Sequence, residues 1–155
     1  MAINKDEIFL NRSDLKREAA RLHEMGYNCA QSVVCAMAPA IDLDADGAFV
    51  LAEGFGAGMG GMAETCGAIS GAVMALSQVE STGRNQVGSK AKTYKLSREL
   101  SARFAAANES TVCRELKGIG SDAGALRSCP GCIDDAIDLA IDILVEQGAH
   151  EIATE

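Results

Sequence analysis

A chain of 155 residues is long enough to bury a working core in one domain without covalent staples. Its net charge of −8, with no basic run and no aromatic–basic interleaving, makes nucleic acid and anionic membranes poor partners. With 16 glycines, 2 prolines, no tryptophan and 4% aromatics, it must pack through small and aliphatic side chains, which suits close helix contacts better than a β-sandwich. No apolar run nears the roughly 20 residues that cross a bilayer, since Glu64 interrupts the longest, so no membrane insertion is expected.

Residues 1–12 read as a flexible arm without an apolar export-signal core, and residues 13–155 as one domain. From Ser13, read as an N-cap, Leu15, Ala19 and Leu22 give a helical stripe that Gly26 ends. Asn28 opens the next helix, and Gln31 three residues on makes a capping-box pattern. Cys29 is then its first residue, while Cys35 lies mid-helix, where a small buried hydrophobe is the ordinary reading. Pro39 ends this helix. Asp42, Asp44, Asp46, Gly47 and Glu53 follow with the spacing of a twelve-residue calcium loop. Val50 at the ninth position, the glycines just beyond and the lack of a second loop argue for a short helix capped by Asp46, with no calcium expected.

The stretch from Gly54 to Ala75 organises the chain. Seven glycines surround a single cysteine, Cys66, a density that makes sense where backbone must approach something closely. Gly56, Gly58 and Gly61 spell a dinucleotide-like G-x-G-x-x-G, but no strand precedes them, so no nucleotide is expected. Cys66 falls in the first turn of a helix whose Gly67, Gly71 and Ala75 form a face of small residues, able to receive another helix or a second copy in a homodimer. A long helix then spans about Ser89–Asn108 with Tyr94, Leu96, Leu100, Phe104 and Ala107 as its buried side, its Lys and Arg residues reading as a solvated face. Ser110 or Thr111 can cap a short helix that begins at Cys113. In the last helix Ile133, Ala136, Ile137, Ala140, Ile141 and Leu144 recur at helical spacing, and Cys129 and Cys132 stand at its entry as C-P-G-C. With no sustained alternation anywhere, the expected fold is all-α: one domain of about five or six helices, with the glycine-rich loop leading into a central Cys-bearing helix.

The six cysteines, in a chain without an export signal, suggest a reducing, cytoplasmic setting and thiolates used for metal or redox work rather than a disulfide framework. Cys29, Cys66, Cys113 and Cys129 each fall at a helix start, where free N–H groups and the positive dipole end favour a thiolate. Four such starts meeting at one point would suit an anionic cluster or a metal–thiolate centre.

These residues also carry a resemblance. Asn28-Cys29-Ala30-Gln31, then GFGAGMGG, then Glu64-Thr65-Cys66-Gly67-Ala68-Ile69-Ser70-Gly71, then Cys113-Arg114-Glu115-Leu116 and Cys129-Pro130 resemble the C_GCAxxG_C_C redox-active protein family over roughly residues 13–147. The resemblance maps the family's four cysteines onto Cys29, Cys66, Cys113 and Cys129, and makes Cys35 and Cys132 additions. That family is similar to the non-haem part of split-Soret cytochromes, for which an iron–sulfur centre has been proposed. This chain has no C-x-x-C-H haem attachment sequence, so no haem is expected.

Three functions follow as expectations. In the first, Cys29, Cys66, Cys113 and Cys129 ligate an iron–sulfur cluster, or zinc, for electron transfer or sensing with an unidentified redox partner. Gly56, Gly58, Gly60, Gly61, Glu64 and Gly67 then line the cofactor. In the second, Cys129 and Cys132 form a thiol–disulfide pair, with Cys129 as nucleophile and Cys132 resolving, although the βαβ context of a thioredoxin-like fold is missing. In the third, the cysteines are inert in a structural or interaction protein. No Ser/His/Asp arrangement or H-E-x-x-H helix offers other chemistry, and His23 and His150 read as solvent-exposed.

Overall fold

The computed structural model describes residues 3–153, and among these the fold is all-α with seven α-helices. They are α1 (Arg12–Glu24), α2 (Cys29–Met37), α3 (Ala45–Ala52), α4 (Gly67–Glu80), α5 (Lys90–Asn108), α6 (Cys113–Lys117) and α7 (Cys129–Glu146). The count is one above the expected five or six, and both short helices read from the sequence, α3 and α6, are present. Two strands, β1 (Phe9–Leu10) and β2 (His150–Glu151), pair in parallel. No helix among the described residues is long and apolar enough to cross a membrane.

The central α4 packs against α2, α7 and α5, while α1 crosses α2 and α7, and α3 covers the far side of α2. The small-residue face of α4 is used inside the chain. A side chain at Gly71 would lie 2.5 Å from the Ala30 carbonyl oxygen, and one at Gly67 would lie 2.9 Å from that of Phe55. The face that suggested a homodimer is therefore already covered by α2. On α7, Ile133, Ala136, Ile137, Ala140, Ile141 and Leu144 are all buried, as their periodicity predicts.

Several local expectations change. The segment read as a flexible arm is packed where it is described. Ile8 and Leu10 are 1% and 0% exposed, β1 pairs with β2, and Lys5 reaches Glu80 at 2.6 Å (residues 1 and 2 lie outside the described residues). Two alternating apolar residues are too short a signal for periodicity to detect. Asn11, rather than Ser13, caps α1 by accepting the Asp14 N–H at 3.1 Å. Asp44, rather than Asp46, caps α3 by accepting the Asp46 and Gly47 N–H groups, so residues 45–52 of the calcium-like spacing are helical. Before α6, the Ser110 hydroxyl accepts the Val112 N–H at 3.0 Å, but Val112 itself is the cap residue. On α5, Tyr94 and Ala107 are exposed, and the buried side ends on Asn108, whose amide donates to Asp135 at 3.0 Å.

Charge fastens the outer helices. Arg12 donates to Asp138, Asp142 and Glu151, which together hold its guanidinium pKa above its ordinary value despite partial burial. Lys16 bridges Asp134 and Asp138 beside it. Glu80 is buried at the end of α4 between Lys5 and Lys92, at 2.6 and 3.0 Å.

The α2–α4 contact yields a contrast. Gly71→Ala should lower unfolding stability by about 1–3 kcal/mol through overpacking against the Ala30 carbonyl. Gly54→Ala, where an added methyl meets nothing within 4 Å, should change it by less than about 0.5 kcal/mol. Urea unfolding of both variants measures the difference, and equal losses would contradict the close-approach account.

Candidate thiol-lined redox site

Each cysteine of the four-residue set sits at a helix start, and a specific local device puts it there. At α2 the capping box is complete. Asn28 Oδ1 accepts the Gln31 N–H at 2.9 Å, and Gln31 Oε1 accepts the Asn28 N–H at 3.0 Å, leaving Cys29 as the first helical residue. The free Asn28 amide donates to the Glu53 carbonyl at 2.9 Å and so ties the glycine loop to this helix start. Cys66 is itself the cap residue of α4. Its N–H donates to the Thr111 carbonyl at 2.8 Å, and the Cys113 N–H donates to the Glu64 carbonyl at 2.9 Å. This reciprocal pair, an isolated antiparallel bridge between Thr65 and Val112, clamps the Cys66 and Cys113 segments together. At α7 the Ser128 hydroxyl accepts the Gly131 N–H at 3.1 Å, which sets Cys129 at the first helical position.

The four helix starts face one cavity of about 200 Å³, lined by Cys29, Cys66, Cys113 and Cys129. Cys132 lines it as well. The residue is 3% exposed, so it belongs inside the group rather than at the rim, where the C-P-G-C spacing would place a spare thiol. Cys35 stays outside and donates to the Ala45 carbonyl at 3.7 Å. All six cysteines are free.

The sulfurs of Cys29, Cys66, Cys129 and Cys132 perturb one another in the cavity, and the charge has a clear side. The Cys66 thiol is brought down to about 7 by the hydrogen bond from Cys132, with help from the Ala68 and Ile69 N–H groups and from Lys117, against the opposing effect of burial. Donating that bond, together with burial, pushes the Cys132 thiol up. Burial and the nearby Cys129 and Cys66 sulfurs push Cys29 up to about 12. Burial likewise raises Cys113, partly offset by Lys117.

The predicted glycine-loop residues divide. Gly67 lines the cavity, as does Ala57. Gly58, at φ +55°, lets the loop pass where a side chain would come 2.5 Å from the Cys113 Cβ, and Gly56 similarly makes room for Asn28. Gly60, Gly61 and Glu64 are exposed and do not border the cavity. Glu64 instead contributes its backbone carbonyl, which holds Cys113. The loop tightens into a π-type turn, Gly58–Met62, with Ala57, Met59 and Met62 in the left-handed region.

Three further side chains border the cavity: His23, read from the sequence as solvent-exposed and half-buried here, and the cations Lys117 and Arg127, which the sequence reading did not single out. His23 follows from the α1 helical phase once α1 is known to end above Cys29. Lys117 lies on the exposed side of a five-residue helix, a setting with no sequence signature. Arg127 is aimed by Asp135 of α7, through bonds of 3.0 and 3.1 Å.

Residues 27–143 match the family model described as "Putative redox-active protein (C_GCAxxG_C_C)". The chain belongs to this family. The matched span holds the family's four cysteines together with Cys35 and Cys132. Comparison with curated proteins and with solved structures finds no match.

Among the described residues, no group of three or more His, Cys, Asp or Glu side chains is set to hold a metal ion. The all-thiol donor set nevertheless suits soft metals, and all four cysteines border one shared space.

The Cys66–Cys132 bond predicts a titration. In metal-free protein, thiolate absorbance should reveal one thiol ionising near pH 7, and Cys132→Ala should move that step upward because Cys66 loses the donor that favours its thiolate. An unchanged low step in the variant would count against this account.

Proposed function

We propose that this redox-family protein holds an iron–sulfur cluster at Cys29, Cys66, Cys113 and Cys129 and serves in electron transfer or sensing. The observation that carries the reading is that these four cysteines, from four separate helices, line one cavity of about 200 Å³. A bound cluster would supply one-electron chemistry. The chain's own residues have definable parts. The four thiolates ligate, and the Ala68 and Ile69 N–H groups stabilise negative charge on Cys66. Lys117 and Arg127 offset the anionic charge that thiolates and a cluster bring to the pocket.

Zinc is the less favoured occupant. A single tetrahedral ion draws four ligands to one point at about 2.3 Å, whereas a cluster takes its cysteines on different iron atoms. Four cysteines drawn from four separate helices around one cavity of about 200 Å³ favour the latter. Exchange between Cys129 and Cys132 has weaker support, because the βαβ frame of a thioredoxin-like fold is absent among the described residues. A reducing, cytoplasmic setting accords with six free thiols.

Anaerobic purification followed by iron and acid-labile sulfide analysis tests the proposal. A brown protein with stoichiometric iron and sulfide is expected. Cys→Ser changes at positions 29, 66, 113 and 129 should abolish the colour, Cys132→Ser should reduce it, and Cys35→Ser should leave it unchanged. A colourless protein without iron or sulfide would refute the cluster, and stoichiometric zinc would revive the single-ion alternative.

A further inference from the structure

We propose that the outer side of α4, between α3 and the start of α5, is covered by a second copy of the chain in a two-fold homodimer. This surface is distinct from the Gly67/Gly71/Ala75 face, which α2 already covers.

The outer side of α4 is built like a helix interior left open. Ser70, Val73, Met74, Ser77 and Gln78 recur at i, i+3, i+4, i+7 and i+8 and form its half-buried stripe. The one charged residue of α4, Glu80, is buried, so the side that meets solvent carries no charge at all. On α5, by contrast, Lys95, Arg98 and Glu99 are exposed. Two grooves flank the stripe and meet at Ser77. The groove beside α3 is lined by Val73, Met74 and Leu51, and Leu51 is 71% exposed. The groove beside α5 is lined by Val87 and Tyr94, which are 85% and 56% exposed. A charge-free centre bordered by large aliphatic and aromatic side chains has the composition of an interface core.

Charge selects the occupant. On the α3 flank Asp42, Asp44 and Asp46 are exposed, and on the α5 flank Arg84 and Lys90 are exposed. Among the described residues none of these five makes an ion pair. Both flanks border the C-terminal half of α4. The Gln78 amide donates to the Asp42 carbonyl at 3.0 Å, while Ser77 and Ser81 line the groove that holds Arg84 and Lys90. A two-fold axis lying along α4 past Ser77 therefore turns the acidic flank of one copy onto the basic flank of the other, twice, and sets the stripe against its own copy. A partner of one charge sign would satisfy one flank and oppose the other. A second copy satisfies both.

Sedimentation velocity of the full chain at micromolar concentrations, kept anaerobic and reduced so that no disulfide links the copies, tests the proposal. The wild type should sediment as a dimer. Ser77→Glu sets two carboxylates against each other across the axis and should give a monomer with unchanged helical circular dichroism. Two charge-reversed proteins, Arg84→Glu with Lys90→Glu and Asp42→Lys with Asp46→Lys, should each dimerise at least about tenfold more weakly. Their equimolar mixture should recover the dimer, because only the mixed pair brings opposite flanks together. A monomer at every wild-type concentration, a dimer that Ser77→Glu leaves intact, or a mixture that stays monomeric would overturn the proposal. The wild-type mass and the mixing result read the outcome even if Ser77→Glu misfolds. Iron and sulfide content is a separate measurement, so failure of the dimer and failure of the cluster reading remain distinguishable.

Discussion

The site depends on α2 and α4 approaching so closely that no side chain fits between their backbones. Gly71 lies against the Ala30 carbonyl, and Gly67 lies between Phe55 and the start of α2. Because both helices begin at this end, the contact also brings Cys29 and Cys66 to the same depth. α7 meets α4 alongside and adds Cys129 and Cys132. Cys113 cannot be placed by helix packing, since α6 is only five residues long. It is placed by backbone hydrogen bonds to the strand-like segment before Cys66.

The charge of the protein is distributed unevenly around this arrangement. The chain is strongly acidic, and most carboxylates on α7 are spent on holding neighbours: Asp138 and Asp142 on Arg12, Asp134 on Lys16, Asp135 on Arg127. Exposed pairs of this kind contribute little stability each, but they fix the rotation of α7 and therefore the direction in which its first turn points. Acidic residues hold the frame, while the cations Lys117 and Arg127 border the cavity.

Much of this was legible beforehand. Strong signals, such as the Asn28–Gln31 pair, the α7 periodicity and the C-G-A-x-x-G motif beside its glycines, name both an element and its boundary, and so they put the four cysteines at helix starts. Weak signals failed in characteristic ways. Asn11 and Asp44 displaced nearby residues that were equally good caps on paper, because capping depends on backbone angles and not on residue type alone. Cys132 stands beside Cys129 in sequence, but its burial and its place in the wall of the cavity shared with Cys66 come from the packing of α4 on α7, which no local spacing reports. Glu64 was expected to line a cofactor, yet its side chain is exposed and its contribution is its carbonyl, a group every residue carries.

The turn at Gly58–Met62 carries one more consequence. Ala57, Met59 and Met62 hold left-handed backbone angles that cost about 1–2 kcal/mol apiece for residues with a Cβ. Ala57 forms part of the cavity wall, and the neighbouring glycines at 60 and 61 meet nothing that would oppose movement. The wall is thus built unevenly: four helix starts are held by packing and backbone bonds, and the loop beside them is held in angles its side chains disfavour. Part of the folding free energy is therefore stored at the pocket's own edge rather than in the core.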